Sequence, residues 1–299
     1  MDFANQLTVG IVTYNSAGVI ERQLESLQFL PNIIVADNDS CDETVAKVSS
    51  AAPRVDVISS KSNLGFGKAA NQILARASTD YVLILNPDCQ VSVECIAELG
   101  CIATMNPDAA IIAPVLRYND GRPQKSFLPF DLTVFSGQFK HRFLPVKHVL
   151  GAAMLLRRSA IMQMGGFDEA YFLYCEDEDL CVRVLRAGHK ILLAPSAQAV
   201  HVYGHSSSED ATVRNLKAWH MGWSRARFAF RSDGVPGLVR RLLKTIGRSV
   251  LDILRAVAGG NGSDLSEAWT TLRGTFAFLC GKDAYQHARP QKLPVDATL

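Results

Sequence analysis

Four consecutive carboxylates, Glu176–Asp179, lie at the start of a segment whose pattern predicts a helix over Asp177–Ala187. Acidic residues in a first helical turn interact favourably with the helix dipole, by about 0.3–1 kcal/mol each. Four adjacent carboxylates exceed what capping needs, and their mutual repulsion and partial burial raise a carboxyl pKa toward the range of a general base. The residues alone therefore leave helix capping and proton transfer both open.

Two more acidic positions follow apolar, strand-like segments. Asp37 comes directly after Ile33–Ala36, where a carboxylate can hydrogen-bond a base or a ribose. Asp88 follows Tyr81–Leu85 together with Asn86, and such oxygen ligands suit a hard divalent cation that keeps waters and substrate phosphates in its shell. Asn, Pro and Asp are also favoured turn residues, so an ordinary turn at 86–88 is the competing interpretation.

A histidine, His201, ends another apolar segment and is followed four residues later by His205. A lone histidine is more often structural than a ligand, and two in one loop are weak evidence for a metal. The residues alone leave both interpretations open.

The scaffold for these residues is predicted from an alternation of short apolar segments and helical patterns. Strands without tight hairpins between them predict an α/β fold with a mostly parallel sheet flanked by helices. Ligands of such sheets bind beyond the carboxyl ends of the strands, which selects the loops 13–15, 37–39 and 86–88. The predicted strands are Leu7–Thr13, Ile33–Ala36, Val55–Ser59 and Tyr81–Leu85, and the helices between them are Ala17–Leu30, Asp42–Ser50 and Phe66–Ala77.

The second half of the chain is less regular, and from Ser206 onward it becomes helical and more basic, with a break at Gly259–Ser263. Between these parts we expect a helix ended by Gly188, a common left-handed stop. The other expected elements are irregular loops with a short mixed-sheet excursion over Ile111–Phe143, one strand over Val149–Arg157, a short helix from Ser159, and strands at Ile191–Ala194 and Ala199–Val202.

Composition excludes several classes of protein. The 299 residues allow one large or two smaller domains, and 48% hydrophobic residues exclude a wholly disordered chain. A net charge of +2 argues against a polycation built for nucleic acid. No P-loop is present, and Gly65-Phe66-Gly67 is only a partial dinucleotide fingerprint. The seven cysteines lack paired spacing, which predicts free thiols. The first residues do not look like a signal peptide, so we expect a cytoplasmic chain.

Taken together and in order, these segments resemble family-2 glycosyltransferases with the GT-A fold over about 200 residues. The Asn-Pro-Asp form and the closing His-x-x-Gly-x-Ser look most like the bacterial rhamnosyltransferase branch, which works on cell-envelope polysaccharides. The segments that carry the resemblance are Val12–Asn15, Val35–Ser40, Asn63–Asn71, Leu85–Asp88, Gly151–Ala153, Gly165–Glu169, Glu176–Leu180 and His201–Ser206.

The resemblance implies roles for individual residues. Asp177 matches the family's catalytic base, with Glu176 and Asp179 as the fallback candidates. Asp88 matches the last acid of the family's DXD motif and would reach a Mg²⁺ or Mn²⁺ ion on the donor diphosphate, and His201 matches a further metal ligand. Asn86 replaces the first acid of that motif, a departure that removes one charge. The nucleotide-sugar site would comprise Thr13, Tyr14, Asn15, Asp37, Asn38, Lys68, Asn71, Asn86, Asp88, Gly151 and Ala152.

The implied reaction is transfer of a sugar, rhamnose from a dTDP-sugar, to a hydroxyl of a glycan or polyprenyl-diphosphate-linked acceptor, with inversion at the anomeric carbon. Residues 1–206 would form the catalytic domain and residues 207–299 a helical C-terminal region. Two other classes stay open. A sugar-1-phosphate nucleotidyltransferase normally begins with a Gly-rich basic loop, which Leu7–Ser16 lacks, and a non-catalytic nucleotide-sugar-binding protein would be expected to lose the base.

The C-terminal region contains a candidate membrane-binding helix. Residues 238–256 hold five basic residues against Asp252, a net charge of +4. At about 100° per residue nine apolar side chains fall on one half of a helical wheel and the five basic ones on the other. The nine are Leu238, Val239, Leu242, Leu243, Ile246, Val250, Ile253, Leu254 and Val257. Such a helix can lie on an anionic membrane, here the inner face of the plasma membrane. The competing interpretation is that the same apolar face packs on the catalytic domain.

Overall fold

The structure, a computed structural model, describes residues 3–52, 54–129, 141–202, 211–257 and 262–287. The side chains of residues 253–264 and of residues 286 and 287 lie outside that description, as do the predicted His205 and the rest of the loop at 203–210. The strands are β1 (Leu7–Thr13), β2 (Ile33–Asp37), β3 (Asp56–Ser59), β4 (Tyr81–Leu85), β5 (Cys89–Val91), β6 (Ala109–Arg117), β7 (Phe127–Pro129), β8 (Leu144–Val149), β9 (Ala153–Arg157) and β10 (Lys190–His201).

Eight α-helices are present in the described part of the chain. They are α1 (Ile20–Leu27), α2 (Thr44–Ala51), α3 (Phe66–Arg76), α4 (Val93–Met105), α5 (Arg158–Gln163), α6 (Glu176–Arg186), α7 (Ala211–Val257) and α8 (Gly262–Leu279). Short 3-10 helices lie at Phe3–Gln6 and Ala284–His287.

The strands form one mixed sheet in the order β3-β2-β1-β4-β9-β6-β10-β8-β7, with β5 paired to β10. From β3 to β4 the sheet is parallel, as is the β6–β10 pair, whereas β9 runs antiparallel to both of its neighbours. All seven residues of β1 are buried, which explains why this strand reads as a continuous apolar segment. The predicted α/β fold with flanking helices is confirmed.

The two faces of the sheet pack against different helices. Along β4, Leu83 and Leu85 join one apolar cluster while Val82 and Ile84 join the other, the two-residue alternation of a strand buried on both sides. Side chains of α1 and α4 belong to the first cluster, and side chains of α3, α5 and α6 belong to the second. The sheet is therefore the middle layer of three, and its carboxyl edge stays available for a site.

Three predictions for the second half of the sheet are wrong. The irregular region expected from Ile111 begins instead with β6, a strand whose first eight residues are buried. The single strand expected over Val149–Arg157 is two strands, because the chain turns at 150–152. The two strands expected near 191 and 199 are one strand, β10, with an irregularity between Ala194 and Gln198 that accommodates Pro195.

The described residues divide into two compact units. Those within 1–168 and 176–208 form one unit, and those within 169–175 and 209–299 form the other. The second unit consists mainly of α7 and α8, which cross closely at two glycines: a Cβ added at Gly222 or Gly274 would lie 2.0 Å from a backbone oxygen of the facing helix. An aromatic cluster of Tyr171, Phe172, Trp219 and Trp223 forms its core.

Helix α7 is interrupted at Gly234, whose φ of 65° is left-handed, just before Pro236. Among the helices that the structure describes, none is both long and apolar enough to cross a lipid bilayer. All seven cysteines are free thiols, as their spacing predicted.

Candidate active site at the carboxyl edge of the sheet

The loops after β1 and β2 meet through a buried carboxylate. Thr13 and Asp37 are paired in the parallel ladder, and the Thr13 hydroxyl donates to Asp37 Oδ1 at 2.9 Å. The Ser40 amide donates to Asp37 Oδ2 at 3.0 Å. These bonds hold the Asp37 carboxylate in one orientation at the end of β2, consistent with the predicted contact to a nucleoside.

Two asparagines predicted to bind the nucleotide sugar also hold the surrounding loops together. Asn15, with a left-handed φ of 51°, accepts the Cys41 amide at 2.9 Å. The Asn38 amide group donates to the Gly65 carbonyl at 3.1 Å, at the start of α3. Tyr14, the residue before Asn15, is half-buried, and burial, followed by the neighbouring Cys41, raises the pKa of its phenol.

Helix α3 carries the next two predicted residues, Lys68 and Asn71. Lys68 is half-buried in the first turn. The side chain of Asn71 clamps the loop before α6, since its Nδ2 donates to the Phe167 carbonyl at 3.0 Å and its Oδ1 accepts the Phe167 amide at 2.8 Å. The sequence did not indicate this structural task, and the predicted contact of Asn71 with a base or ribose stays a prediction.

The first of two carboxylate pockets, which we call the Asp88 pocket, contains Asp88, His201 and Gln124. Asp88 follows β4, and the antiparallel pairing of Cys89 with His201 brings the end of β10 beside it. His201 Nε2 lies 3.4 Å from Asp88 Oδ1, and both side chains are almost completely buried. Asn86, Pro87 and Asp88 do form a turn, so the turn interpretation and the site interpretation are compatible.

Gln124 orients the His201 ring. Its Nε2 donates to the His201 carbonyl at 2.7 Å, so its Oε1 is the atom that faces His201 Nδ1 at 3.0 Å. Nδ1 is therefore the nitrogen that donates to Gln124, and Nε2 is the nitrogen that faces Asp88. Asp88 Oδ1 has no hydrogen-bond partner among the described residues.

This arrangement fits a divalent cation. A carboxylate oxygen and an imidazole nitrogen are common ligands, and a histidine ligand usually donates its other ring N–H to an oxygen, as His201 does here. No group of three or more metal-ligating side chains is found in the described part of the chain. The protein offers two ligands here, and a diphosphate and water would have to supply the others.

The second pocket, which we call the Asp177 pocket, contains Asp177, Glu176, His148 and Gly151. Both Asp177 oxygens accept backbone amides: Oδ2 from Gly151 at 2.8 Å and Oδ1 from Glu178 at 2.8 Å. A Cβ at Gly151 would lie 3.3 Å from the Asp177 Cβ, so the backbone at Gly151 passes close to the Asp177 side chain. The sequence assigned Gly151 to the transferred sugar, whereas the structure also gives it the task of holding Asp177.

The four carboxylates at the start of α6 are in different electrostatic environments. Burial and the adjacent Asp177 charge raise the pKa of Glu176 to about 8, so Glu176 is mostly protonated at neutral pH. Burial also raises the pKa of Asp177, but His148 and the two amides outweigh it and hold that pKa below its usual value. Asp179 is bound by Arg183 at 2.6 Å. Of the buried carboxylates in this group, Asp177 is therefore the one that is ionised and not paired with an arginine.

The matching of the chain to known families agrees with this geometry. Residues 8–165 match the family described as glycosyl transferase family 2, which is more than half of the chain. The chain belongs to this family. The matched part of this glycosyltransferase includes Asp37, Asp88 and Gly151 and ends before α6.

The glycosyltransferase is similar to enzymes of known activity. It is 30% identical over 301 residues to the N-acetylglucosaminyl-diphospho-decaprenol L-rhamnosyltransferase of Mycobacterium tuberculosis, covering 85% of this chain and 98% of the relative. It is also 30% identical to the pre-mycofactocin glycosyltransferase of the same species, covering 90% of this chain and 56% of that protein. The chain is thus a hexosyltransferase with a rhamnosyltransferase-like sequence.

Solved structures share the fold at low identity. The mannosyltransferase PcManGT from Pyrobaculum calidifontis, in complex with GDP-Man and Mn²⁺, aligns with a TM-score of 0.59 and 16% identity, covering 93% of this chain and 88% of that one. S. aureus TarS 1–349, in complex with UDP-GlcNAc, aligns with a TM-score of 0.55 and 18% identity, covering 93% and 92%. These likenesses confirm the GT-A fold.

In this glycosyltransferase the two carboxylate pockets are joined by one backbone hydrogen bond. The Asn86 amide donates to the buried Ala152 carbonyl at 3.0 Å, and Gly151, the preceding residue, holds Asp177. The predicted residues Asn86, Asp88, Ala152 and Asp177 are therefore brought together at one edge of the sheet. Sequence reasoning missed Gln124 and His148, and the only signal for His148 was a polar residue three positions before Gly151 in an apolar segment.

Proposed function

We propose that the protein transfers L-rhamnose from dTDP-rhamnose to a hydroxyl of a saccharide carried on a polyprenyl diphosphate, with inversion at the anomeric carbon. The mycobacterial relative, which the chain matches over nearly its whole length, is named for rhamnosyl transfer to N-acetylglucosaminyl-diphospho-decaprenol. The observation that carries the proposal is the pair of buried carboxylates, Asp88 and Asp177, linked through Asn86 and Ala152 at one sheet edge.

On the donor side, Asp37 and Thr13 would hold the nucleoside, with Lys68 nearby. Asp88 and His201 would hold Mg²⁺ or Mn²⁺ together with the donor diphosphate, and such a cation, when bound, offsets the negative charge that develops on the leaving group. Gln124 orients the His201 ring so that Nε2 faces that side.

On the acceptor side, Asp177 would act as the general base. The acceptor oxygen forms a bond to the anomeric carbon as the bond from that carbon to the diphosphate oxygen breaks, and the acceptor proton passes to an Asp177 oxygen. The two amides on Asp177 keep it oriented and ionised before the reaction. A single displacement inverts the anomeric configuration and requires no covalent enzyme intermediate.

The proposal is tested by incubating the purified protein with a panel of nucleotide sugars, Mg²⁺ or Mn²⁺, and a short-chain polyprenyl-diphospho-N-acetylglucosamine. We expect release of dTDP and a product in which the anomeric configuration of the transferred sugar is opposite to that of the donor. A nucleotidyltransferase would instead consume a nucleoside triphosphate and release pyrophosphate, and a binding protein would show a donor-dependent rise in melting temperature without product. Turnover with a different nucleotide sugar and none with dTDP-rhamnose would contradict rhamnose as the transferred sugar.

We also propose that α7 brings the enzyme to an anionic membrane at the cytoplasmic face, where a polyprenyl-linked acceptor would be found. Seven large apolar side chains in the described part of α7 are exposed by between 42% and 68%, and two of them are Phe230 and Leu251. At 100° per residue the other five fall within an 80° arc of the helix. They are Val235, Val239, Leu243, Ile246 and Val250. This exposed stripe speaks against the interpretation that the whole apolar face is core.

The charge of the same segment supports an anionic surface as its partner. Arg240, Lys244 and Arg248 lie outside the stripe, on a sector of the helix that also contains the exposed Leu251. Cations near a bilayer surface contribute on the order of 1 kcal/mol each, and apolar side chains at the interface add to this. The Ile253, Leu254, Arg255 and Val257 side chains of the predicted amphipathic segment lie outside the described residues.

Sedimentation with vesicles tests this second proposal. We expect binding to phosphatidylcholine vesicles that contain phosphatidylglycerol, weaker binding at high salt, and loss of binding in Leu243→Ser combined with Val239→Ser. Met105→Ser, on α4 and similarly exposed at 56%, is the matched control and should bind normally. Equal binding to neutral and anionic vesicles, or binding to neither, would contradict the proposal.

A further inference from the structure

His148 lies beside the candidate base without any part in the sequence motifs. It is near the end of β8, which is packed against α6. Its Nε2 lies 3.8 Å from Asp177 Oδ2, at the same oxygen that accepts the Gly151 amide. The side chain is 23% exposed, so it is reachable by solvent and held by its neighbours.

His148 faces a pair of carboxylates that cannot both be ionised at low cost. Glu176 and Asp177 are adjacent and buried, and like charges in one buried site force one of the pair to keep its proton. Glu176 Oε2 has no hydrogen-bond partner among the described residues, whereas Asp177 accepts two amides and has the His148 imidazole 3.8 Å from Oδ2. The surroundings therefore distinguish the two neighbours, and the imidazole is a nearby group that can carry a full positive charge toward Asp177.

We propose that His148 is a positioning residue for the base: its imidazolium selects Asp177 over Glu176 as the ionised carboxylate and holds Oδ2 toward the Gly151 amide. This inference rests on the proposed function, since it assigns the protonation states of that same site. The charged groups that raise the pKa of His148 belong to α6, and Asp177 contributes more than Glu178. On β7 the residue paired with His148 is the apolar Leu128. Burial lowers the pKa of His148, but the carboxylates outweigh it and the pKa lies above its usual value.

The pairing is tested first without activity. Ring C–H signals of the seven histidines are followed by NMR as pH is varied, with His148 assigned by its disappearance in His148→Gln. We expect the His148 midpoint to lie above the ordinary value of about 6.5 and to fall in Asp177→Asn, while His189 stays unchanged. An unchanged His148 midpoint in Asp177→Asn overturns the inference, whether or not the protein transfers rhamnose.

The effect of His148 on the catalytic base is tested by measuring kcat as a function of pH at saturating donor. In His148→Gln we expect the acidic limb of kcat to move upward by about one to three pH units, the range that loss of a neighbouring cation produces, with the donor KM unchanged. His148→Lys, which restores a cation, should return the limb toward its original position, and His189→Gln should not move it. A uniform fall of kcat without movement of the limb would mean a purely structural role and would overturn the assignment. Lack of transfer by the unaltered protein, with the NMR result intact, would count against the proposed function alone.

Discussion

The Asp88 pocket and the Asp177 pocket each bury a carboxylate at the same edge of the sheet, but the protein treats the two carboxylates differently. Asp177 receives amide donors on both oxygens, with an imidazole 3.8 Å away. Asp88 has an oxygen without a hydrogen-bond partner among the described residues, 3.4 Å from Nε2 of the His201 ring that Gln124 orients. One carboxylate is thus satisfied by the protein, and the other is not.

This difference indicates two kinds of chemistry. A carboxylate with its donors in place is ready to take up a proton from a substrate and is stable in the free protein. A buried carboxylate oxygen without a hydrogen-bond partner is costly, and a bound positive charge lowers that cost. The Asp177 pocket therefore suits a base, and the Asp88 pocket suits a cation brought with the donor.

Removing the Asp88 carboxylate should have the largest effect. Asp88→Ala is expected to abolish sugar transfer, because the protein loses the oxygen through which it would hold a cation on the donor diphosphate. Turnover is measured as dTDP release over a range of Mn²⁺ and Mg²⁺ concentrations. Asp56→Ala, at an exposed carboxylate of β3, is the control and should stay active. Normal turnover of Asp88→Ala with either metal would remove the metal assignment.

Asp177→Asn comes next. It keeps the shape of the side chain but cannot accept a proton at neutral pH, so kcat should fall by roughly 10²–10⁴-fold while donor binding is nearly unchanged. Rates are measured under donor saturation, and donor affinity by calorimetry. Asp179→Asn, whose carboxylate is paired with Arg183, should cost far less activity. A loss of stability with normal kcat would instead favour helix capping.

Gln124→Leu should have an intermediate effect confined to the Asp88 pocket. Without the glutamine oxygen the His201 ring loses its fixed orientation and tautomer, and residues that orient metal ligands in this way typically contribute 10–100-fold in metal affinity. We expect a fall of that size in Mn²⁺ affinity in the presence of dTDP, measured by titration calorimetry. Gln198→Leu, at an exposed glutamine of β10, should leave the affinity unchanged. Equal affinities of the two variants would exclude this role of Gln124.

The smallest effect is expected for Glu176→Gln, and it concerns stability. The pKa of Glu176 is about 8 in the folded protein, against 4.5 as its ordinary value. Between these values the folded state keeps a proton that the unfolded state has lost, so the free energy of unfolding falls as pH rises through this window. Glu176→Gln should remove that fall and keep kcat, whereas Glu178→Gln should leave the fall in place. Denaturant titrations at about pH 5 and about pH 9 measure the free energy of unfolding at each pH. The same fall between these pH values in Glu176→Gln as in the unaltered protein would contradict the conclusion that burial raises the pKa of Glu176.

Sequence reasoning predicted best where one physical signal dominates. Leu7–Thr13 and Tyr81–Leu85 were predicted at their observed bounds, because strands buried on both faces are continuous apolar segments that end at polar loops. The helix that begins with the acidic cluster was shifted by only one residue. These elements place Asp37, Asp88 and Asp177 at the ends of secondary structure, which is why the candidate residues could be found.

The remainder depended on contacts between distant segments. The turn at 150–152 is apolar like the strands around it, and it forms because Asn86 and Asp177 bind its backbone. Likewise, Gln124 lies outside every motif and reaches His201 through the return of β10 along the sheet edge. No local pattern in the sequence encodes these partners, so the hydrogen bonds that orient the site were not predicted.

The segment Glu169–Cys175 belongs to the compact unit of the C-terminal helices, although the chain on either side of it belongs to the other unit. The two units therefore cannot be separated by a single cut. A fragment that ends at Ser208 would keep Tyr171 and Phe172 while losing Trp223 and His220, the rings against which they pack. Exchange of the C-terminal helices between relatives faces the same obstacle: a functional chimera has to carry residues 169–175 and the helices from the same parent.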